Sequence, residues 1–167
     1  MDTWQIIMAV MAGVGLSAAC GFRVFIPPLV MCIAAKAHFV EFGKDFVWME
    51  SNVALAAFSI AAVLEIGAYY IPWLDNALDT IAAPAAVVAG TVTTAAMLGD
   101  ISPWLKWSMA AIAGGGAAGA VQVTTTVARG ASSMLTGGTG NWVVSTGEGV
   151  GAVITAILAI VVPILVF

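Results

Sequence analysis

Four stretches of this chain, Thr3 to Phe22, Thr80 to Gly99, Trp107 to Ala128 and Gly130 to Gly147, contain no Asp, Glu, Lys or Arg. A run of about 20 apolar residues is what an α-helix needs to cross the ~30 Å hydrocarbon core of a bilayer. Lipid offers no hydrogen-bond partner, so the backbone of such a run must pair within the protein. Continuous rather than alternating apolar runs select helices over a barrel. Composition agrees: 62% of residues are hydrophobic and 8% charged, against roughly 25% charge in soluble domains. The mean hydropathy is +1.07. The reading is an all-α, polytopic helical membrane protein, a single integral membrane domain over residues 1–167, in the inner (cytoplasmic) membrane with lipid around it.

The start, Met1-Asp2-Thr3-Trp4, lacks the basic n-region of a signal peptide, so the first helix is expected to be retained. Trp4, Trp73, Trp104, Trp107 and Trp142 fall near predicted span ends, where indole rings favour the interface. A net charge of -4 with five basic residues argues against nucleic acid as a partner. Cys20, Cys32 and His38 are too few for a metal site, and no motif calls for a cofactor. No nucleophile, metal or Ser-His-Asp constellation can be assembled, so an enzyme is not expected.

Charge is informative here because it is scarce. Arg129 stands alone between two uncharged stretches, and a charge at membrane depth costs roughly 2.5 to 3.5 kcal/mol or more unless a cavity or partner receives it. It is either a structural cation tied to a carboxylate or a substrate-facing charge. Arg23 follows the first helix, just before Pro27-Pro28. It can snorkel to the interface or join Arg129 in an anion site helped by helix N-termini. Glu65 lies in an otherwise apolar span and must be protonated or paired. Asp75 and Asp79 share a helix face at i, i+4 spacing, as a solvated face or a cation or partner contact. Glu148 fits the first turn of the last helix.

The spans follow from these signals. The first runs from about Trp4 to Gly21, with Gly13, Ser17 and Gly21 forming a small-residue ladder for close helix packing. Lys36 to Phe46 reads as an interfacial loop or amphipathic helix. Further spans are expected from Ser51-Asn52 to Ile71, from Pro84 to about Leu98, from Trp107 to about Thr125, and from about Gly149 to Phe167 with a kink at Pro163. Arg23 to Glu50 and Thr126 to Gly147 are expected to be broken or re-entrant, giving about five full spans, the N-terminus outside and the C-terminus in the cytoplasm. A seven-span alternative lets both segments cross. Met8 to Gly15 echoes Met109 to Gly116 at five of eight positions. Two repeat halves, 4–71 and 107–167, follow from it, inverted in the five-span reading.

Three stretches resemble a family of small bacterial membrane proteins catalogued as domain of unknown function 4126. The first is Gly15-Leu16-Ser17 leading to Gly21-Phe22-Arg23-Val24-Phe25-Ile26-Pro27. The second is Glu65, Ile71-Pro72, Asp75, Asp79 and Pro84-Ala85-Ala86, and the third is Arg129, Gly137-Gly138, Asn141, Ser145 and Glu148. The sequence departs from the family's pattern at Tyr70, where a lysine is usual, at Ala83, where an arginine is usual, and at Gly149, where an Asp commonly follows the glutamate. The resemblance implies a fold and supplies no activity.

Polar and irregular backbone at membrane depth persists only where protein or a water-filled cavity satisfies it. The expected function is therefore a channel or transporter for a small solute or ion. Arg129 and Glu65 are its central charges, Thr124, Thr125 and Thr126 its polar lining, and Arg23, Glu148 and Asn141 its further pathway residues, with Gly137 to Asn141 as a gate. The alternative is a structural or accessory subunit without transport, held as a homo-oligomer or in a larger membrane complex.

Overall fold

The computed structural model describes residues 3–162, apart from the side chains of Pro72, Trp73, Asp75, Asn76 and Asp79. The sequence expectations for Asp75, Asp79, Trp73 and Pro163 lie outside the described residues. The helices are α1 (Thr3–Phe22), α2 (Ile26–Lys36), a 3-10 helix (Lys44–Glu50), α3 (Asn52–Ala68), α4 (Pro72–Met97), α5 (Pro103–Met109), a π-helical stretch (Ala110–Gly115), α6 (Gly116–Thr136) and α7 (Asn141–Val161). Three helices are long and apolar enough to cross a membrane: Thr3–Phe22, Thr80–Met97 within α4, and Asn141–Val161. A fourth arises if the 3-10 helix and α3, bent by 68°, count as one span. These apolar helices point to a membrane protein.

The packing centres on α1, α4 and α6, each of which touches the other two. A Cβ added at Gly13 would lie 3.0 Å from Thr94 Cα, and one at Gly21 would lie 2.5 Å from the Ala118 carbonyl oxygen. Against the same residues of α4, a Cβ at Gly114 would meet the Gly90 carbonyl oxygen at 2.7 Å. Backbones this close need small residues, because between lipid-bathed helices dispersion replaces the hydrophobic effect as the main attraction. The Ser17 hydroxyl completes the seam, donating to the Gly90 carbonyl and pairing with Thr94 Oγ1 at 2.7 Å.

Contact order along these helices fixes their directions. Residues 13 and 17 of α1 meet 94 and 90 of α4, and Gly114, Gly115 and Gly119 meet Thr94, Thr91 and Val87. Both flanking helices therefore run antiparallel to α4 and parallel to each other. The echoed octapeptides set Gly13 and Gly114 against the same Thr94. An inverted relation between the halves would have made these helices antiparallel.

The pairs Arg129 with Glu148 and Ser133 with Asn141 make α7 antiparallel to α6, and hence to α1. The start of α1 and the end of α7 thus share one end of the bundle, rather than opposite ends as expected from sequence. That end also carries the loop after α2, where Lys36 Nζ donates to Asn52 Oδ1 at 2.6 Å, Lys44 pairs with Asp100 at 3.6 Å and Lys106 pairs with Asp45 at 3.1 Å.

The stretch Thr126–Gly147 breaks only over its glycines, not across its hydroxyl-rich part. The chain is helical to Thr136 and again from Asn141, with a tight turn over 137–140 in which Gly137 and Gly138 take φ of +62° and +87°. Its hydroxyls do not disrupt the helix because they bond within it: Thr124, Thr125 and Thr126 donate to the carbonyls of Ala120, Gln122 and Gln122.

The seam yields a graded prediction. Gly21→Ala is expected to destabilise by about 1–3 kcal/mol through overpacking. Gly130→Ala, with nothing within 4 Å of its added Cβ, is expected to be neutral or to stabilise by up to ~1 kcal/mol. Thermal unfolding midpoints in one detergent would order the two.

Candidate functional site

Where α1 ends, the chain turns at Arg23–Phe25 before Pro27-Pro28 restart it as α2. The free N–H groups at this restart are met by Glu65 from α3: Oε1 accepts from Val24 N at 2.7 Å and Oε2 from Phe25 N at 3.0 Å. A carboxylate here opposes the positive end of the α2 dipole. The protein supplies its own anion at this N-terminus, so the N–H groups expected to serve an external anion are occupied by Glu65.

Beside the break lies a buried ion cluster. Arg129 reaches Glu148 with two bonds, Nε to Oε1 at 2.9 Å and Nη2 to Oε2 at 2.7 Å. This fork-on-carboxylate geometry is specific to arginine. Arg23 approaches the same carboxylate, Nη2 to Oε2 at 3.4 Å, and donates to the Ser145 carbonyl at 2.7 Å. Both guanidiniums face the Tyr69 ring, with Cζ at 3.8 Å from its centroid for Arg23 and 4.3 Å for Arg129. Stacking over the negative ring face adds attraction without hydrogen bonding. Only 2% of Arg23, 2% of Arg129 and 6% of Glu148 is exposed.

The two arginines differ in one respect. Arg129 is clasped by Glu148, whereas Arg23 Nε and Nη1 are buried without a hydrogen-bond partner, as is the Ser145 hydroxyl. Arg23 and Ser145 both line a cavity of about 360 Å³ with Tyr70, Thr146 and apolar residues of α2, α3 and α7. The Tyr70 hydroxyl and Thr146 Oγ1 pair at its edge, 2.9 Å apart.

The structure gathers Arg129, Arg23 and Glu148 into one cluster and sets Glu65 beside it. It keeps the threonines apart from that cluster: Thr124 and Thr126 are exposed, and Thr125 is buried with its hydroxyl turned to its own helix. Asn141 opens α7 at the turn and exchanges hydrogen bonds with Ser133. Gly13 and Ser17 face α4, and Gly21 packs on α6. Sequence reasoning missed Tyr69 and Tyr70. The available signal for Tyr69 was its place four residues after Glu65, on the same helix face. Among the described residues no group of three His, Cys, Asp or Glu could hold a metal ion.

Residues 10–167 match the family described as Domain of unknown function (DUF4126), and the chain belongs to it. No curated protein and no solved structure matches the chain.

Two outcomes follow from the cluster. Arg129→Ala leaves Glu148 with Arg23 alone and is expected to cost about 3–5 kcal/mol, as breaking a buried pair does. Arg129→Ala/Glu148→Ala is expected to recover part of that loss, and a double-mutant cycle by reversible unfolding in mixed micelles reads the coupling. Glu65→Gln retains one acceptor oxygen for two N–H groups. It is expected to cost about 1–3 kcal/mol and to raise amide hydrogen exchange at Val24 and Phe25.

Proposed function

We propose that this family member is a small helical transport protein of the inner membrane, not an enzyme, that receives a small anionic solute at the break between α1 and α2. One observation supports the reading above others: Arg23, whose buried Nε and Nη1 have no hydrogen-bond partner, is among the residues lining a cavity of about 360 Å³. Leaving charged donors unmatched in a buried place costs more than an ordinary lost hydrogen bond. An anion removes that cost. The volume lies within the range of small-molecule pockets, roughly 300–1,000 Å³.

Glu148 is one carboxylate shared by two guanidiniums, and Glu65 beside it has both oxygens on backbone N–H groups. Two guanidiniums thus stand near two carboxylates, and the donors left without hydrogen-bond partners are those of Arg23. In this reading Arg23 is the solute contact, Ser145 and Thr146 its polar neighbours, and Arg129 with Glu148 the fixed anchor. Lys36, Lys44 and Lys106 all lie at the end of the bundle where α1 starts and α7 finishes, so the positive-inside bias assigns that end to the cytoplasm.

A second reading, an accessory subunit or homo-oligomer, has its own support. Met134 is 90% and Leu135 86% exposed at the end of α6, and Gly116 and Gly130 have open space in front of them. Such a face suits close approach of another helix.

Purified protein in liposomes is expected to conduct at least one member of an anion series running from halide to long-chain carboxylate. Arg23→Gln is expected to lower that flux by about tenfold or more, the effect of losing roughly 1.4 kcal/mol of solute binding. Thr124→Ala is expected to leave it unchanged. Absence of flux for the whole series, with stoichiometric co-purification of another membrane protein, would replace transport by the accessory reading.

A further inference from the structure

The end of α3 closes the arginine cluster from one side. The Tyr69 ring lies over both guanidiniums, its centroid 3.8 Å from Arg23 Cζ and 4.3 Å from Arg129 Cζ. The next residue, Tyr70, pairs through its hydroxyl with Thr146 Oγ1 of α7 at 2.9 Å. Tyr70 and Thr146 also line the cavity that Arg23 and Ser145 border. One tyrosine thus covers the cluster and the other bridges the cavity from α3 to α7. In this arrangement Arg23 Nε, Arg23 Nη1 and Ser145 Oγ are buried, so a solute meets them only after their surroundings move.

The end of α3 has both the freedom and the room to do so. Glu65 ties α3 to the start of α2 by its two hydrogen bonds, and the helix packs mainly on α2. Past that tie comes Gly67, with nothing within 4 Å of where its Cβ would stand. No neighbour requires a glycine there, and glycine weakens a helix relative to alanine. Tyr70 N and Ile71 N then bond carbonyls three residues back, at 3.2 and 3.1 Å, the tightened pattern of a helix end. Space lies on both flanks. Toward α7 is the cavity of about 360 Å³, and toward α4 is one of about 480 Å³ whose walls include Glu65, Tyr69, Leu74 and Leu78. Tyr69 is therefore a wall shared by the ion cluster and an apolar space into which its ring can turn.

We infer that residues 68–71 form a lid over the arginine cluster, hinged at Gly67 and latched by the Tyr70–Thr146 hydrogen bond. It opens by turning the Tyr69 ring toward α4 while Glu65 keeps its hold on α2. Stacking of Tyr69 on the guanidiniums favours the closed state. The latch is light, because Tyr70 is 51% exposed and Thr146 is exposed, so water competes for both hydroxyls. α3 starts beside Lys36, to which Asn52 bonds, so the lid lies at the end of the bundle away from the lysines. As regulation of the solute site this rests on the transport reading; the closure itself stands on the contacts of Tyr69 and Tyr70.

Hydrogen exchange of the full chain in maltoside micelles reads the lid without any ligand. Tyr70→Phe and Thr146→Val are each expected to speed amide exchange at residues 68–71 by about three- to tenfold. The double variant is expected to exchange no faster than either single one, because both remove the same bond. Gly67→Ala is expected to act in the opposite direction, slowing exchange there by about fivefold, since alanine strengthens the last turn and meets no neighbour. Exchange at Val24 and Phe25, whose N–H groups Glu65 holds, is expected to be unchanged in every variant.

A second readout is the reaction of Ser145→Cys, in a Cys20→Ala/Cys32→Ala background, with a soluble anionic methanethiosulfonate. Its rate is expected to rise with Tyr70→Phe and fall with Gly67→Ala by similar factors; should Ser145→Cys lower the unfolding midpoint, hydrogen exchange alone decides. Unchanged exchange at residues 68–71 in Tyr70→Phe, equal acceleration at Val24 and Phe25, or labelling at residue 145 indifferent to both variants would each overturn the lid. A lid that behaves as expected in a protein conducting no anion would sink the transport reading alone. Anion flux with unaltered exchange in Tyr70→Phe would sink this inference alone.

Discussion

One carboxylate, that of Glu148, holds the interior of this protein together. It takes two hydrogen bonds from Arg129 on α6 and an ion pair from Arg23 at the end of α1. The Tyr69 ring, just beyond α3, covers both guanidiniums. Four parts of the chain distant in sequence meet at this point. Taking an ion out of water into a low-dielectric interior costs several kcal/mol, and attraction offsets it only when geometry is good and other donors are matched. Arg129 meets that condition through a two-point clasp. The cluster therefore explains how α6, too polar to be among the helices apolar enough to cross a membrane on their own, can sit in the same bundle as α1 and α7.

The small-residue seam is what allows such a cluster to form. With Gly13 and Gly21 on α1, Gly90 on α4 and Gly114 beside α6, the three helices approach to backbone contact. Close backbones bring the end of α1 beside the middle of α6, so Arg23 and Arg129 share a carboxylate despite lying far apart in the chain. Packing is here the cause and electrostatics the consequence. Restarting the chain as α2 requires a further element, and Glu65 supplies it from α3 by accepting from Val24 and Phe25. An uncapped N-terminus at that depth would leave orphan donors that lipid cannot satisfy.

Much of this was legible in the sequence, for physical reasons that can be named. Helicity followed from uninterrupted apolar runs, and the need for a host around Arg129 followed from the cost of its charge. The ladder Gly13, Ser17, Gly21 carried a helical period that marked a face. What could not be read was pairing across the chain. Nothing local distinguishes Glu148 as partner of Arg129 from Glu148 as a first-turn acid, because the choice depends on a turn over 137–140 that returns α7 along α6. The polar composition of Thr124 to Ser133 suggested a break, yet hydroxyls that bond their own helix carbonyls leave the backbone ladder intact. Direction was misread for a related reason: Arg23 to Glu50 was expected to return to the side it left, whereas α2 runs from the break at Arg23 back to the end where α1 starts.

The division of labour between the two arginines follows from that break. Arg129 lies within a continuous helix, where a side chain can settle into one bidentate geometry. Arg23 lies at a helix end, where its own backbone turns away and Glu65, the nearest other carboxylate, caps the amides of the next two residues. Had Glu65 paired with Arg23 instead, the start of α2 would have kept its orphan N–H groups. The fold resolves this competition in favour of the backbone. The consequence is a guanidinium that the protein encloses beside carboxylates yet leaves with Nε and Nη1 short of hydrogen-bond partners.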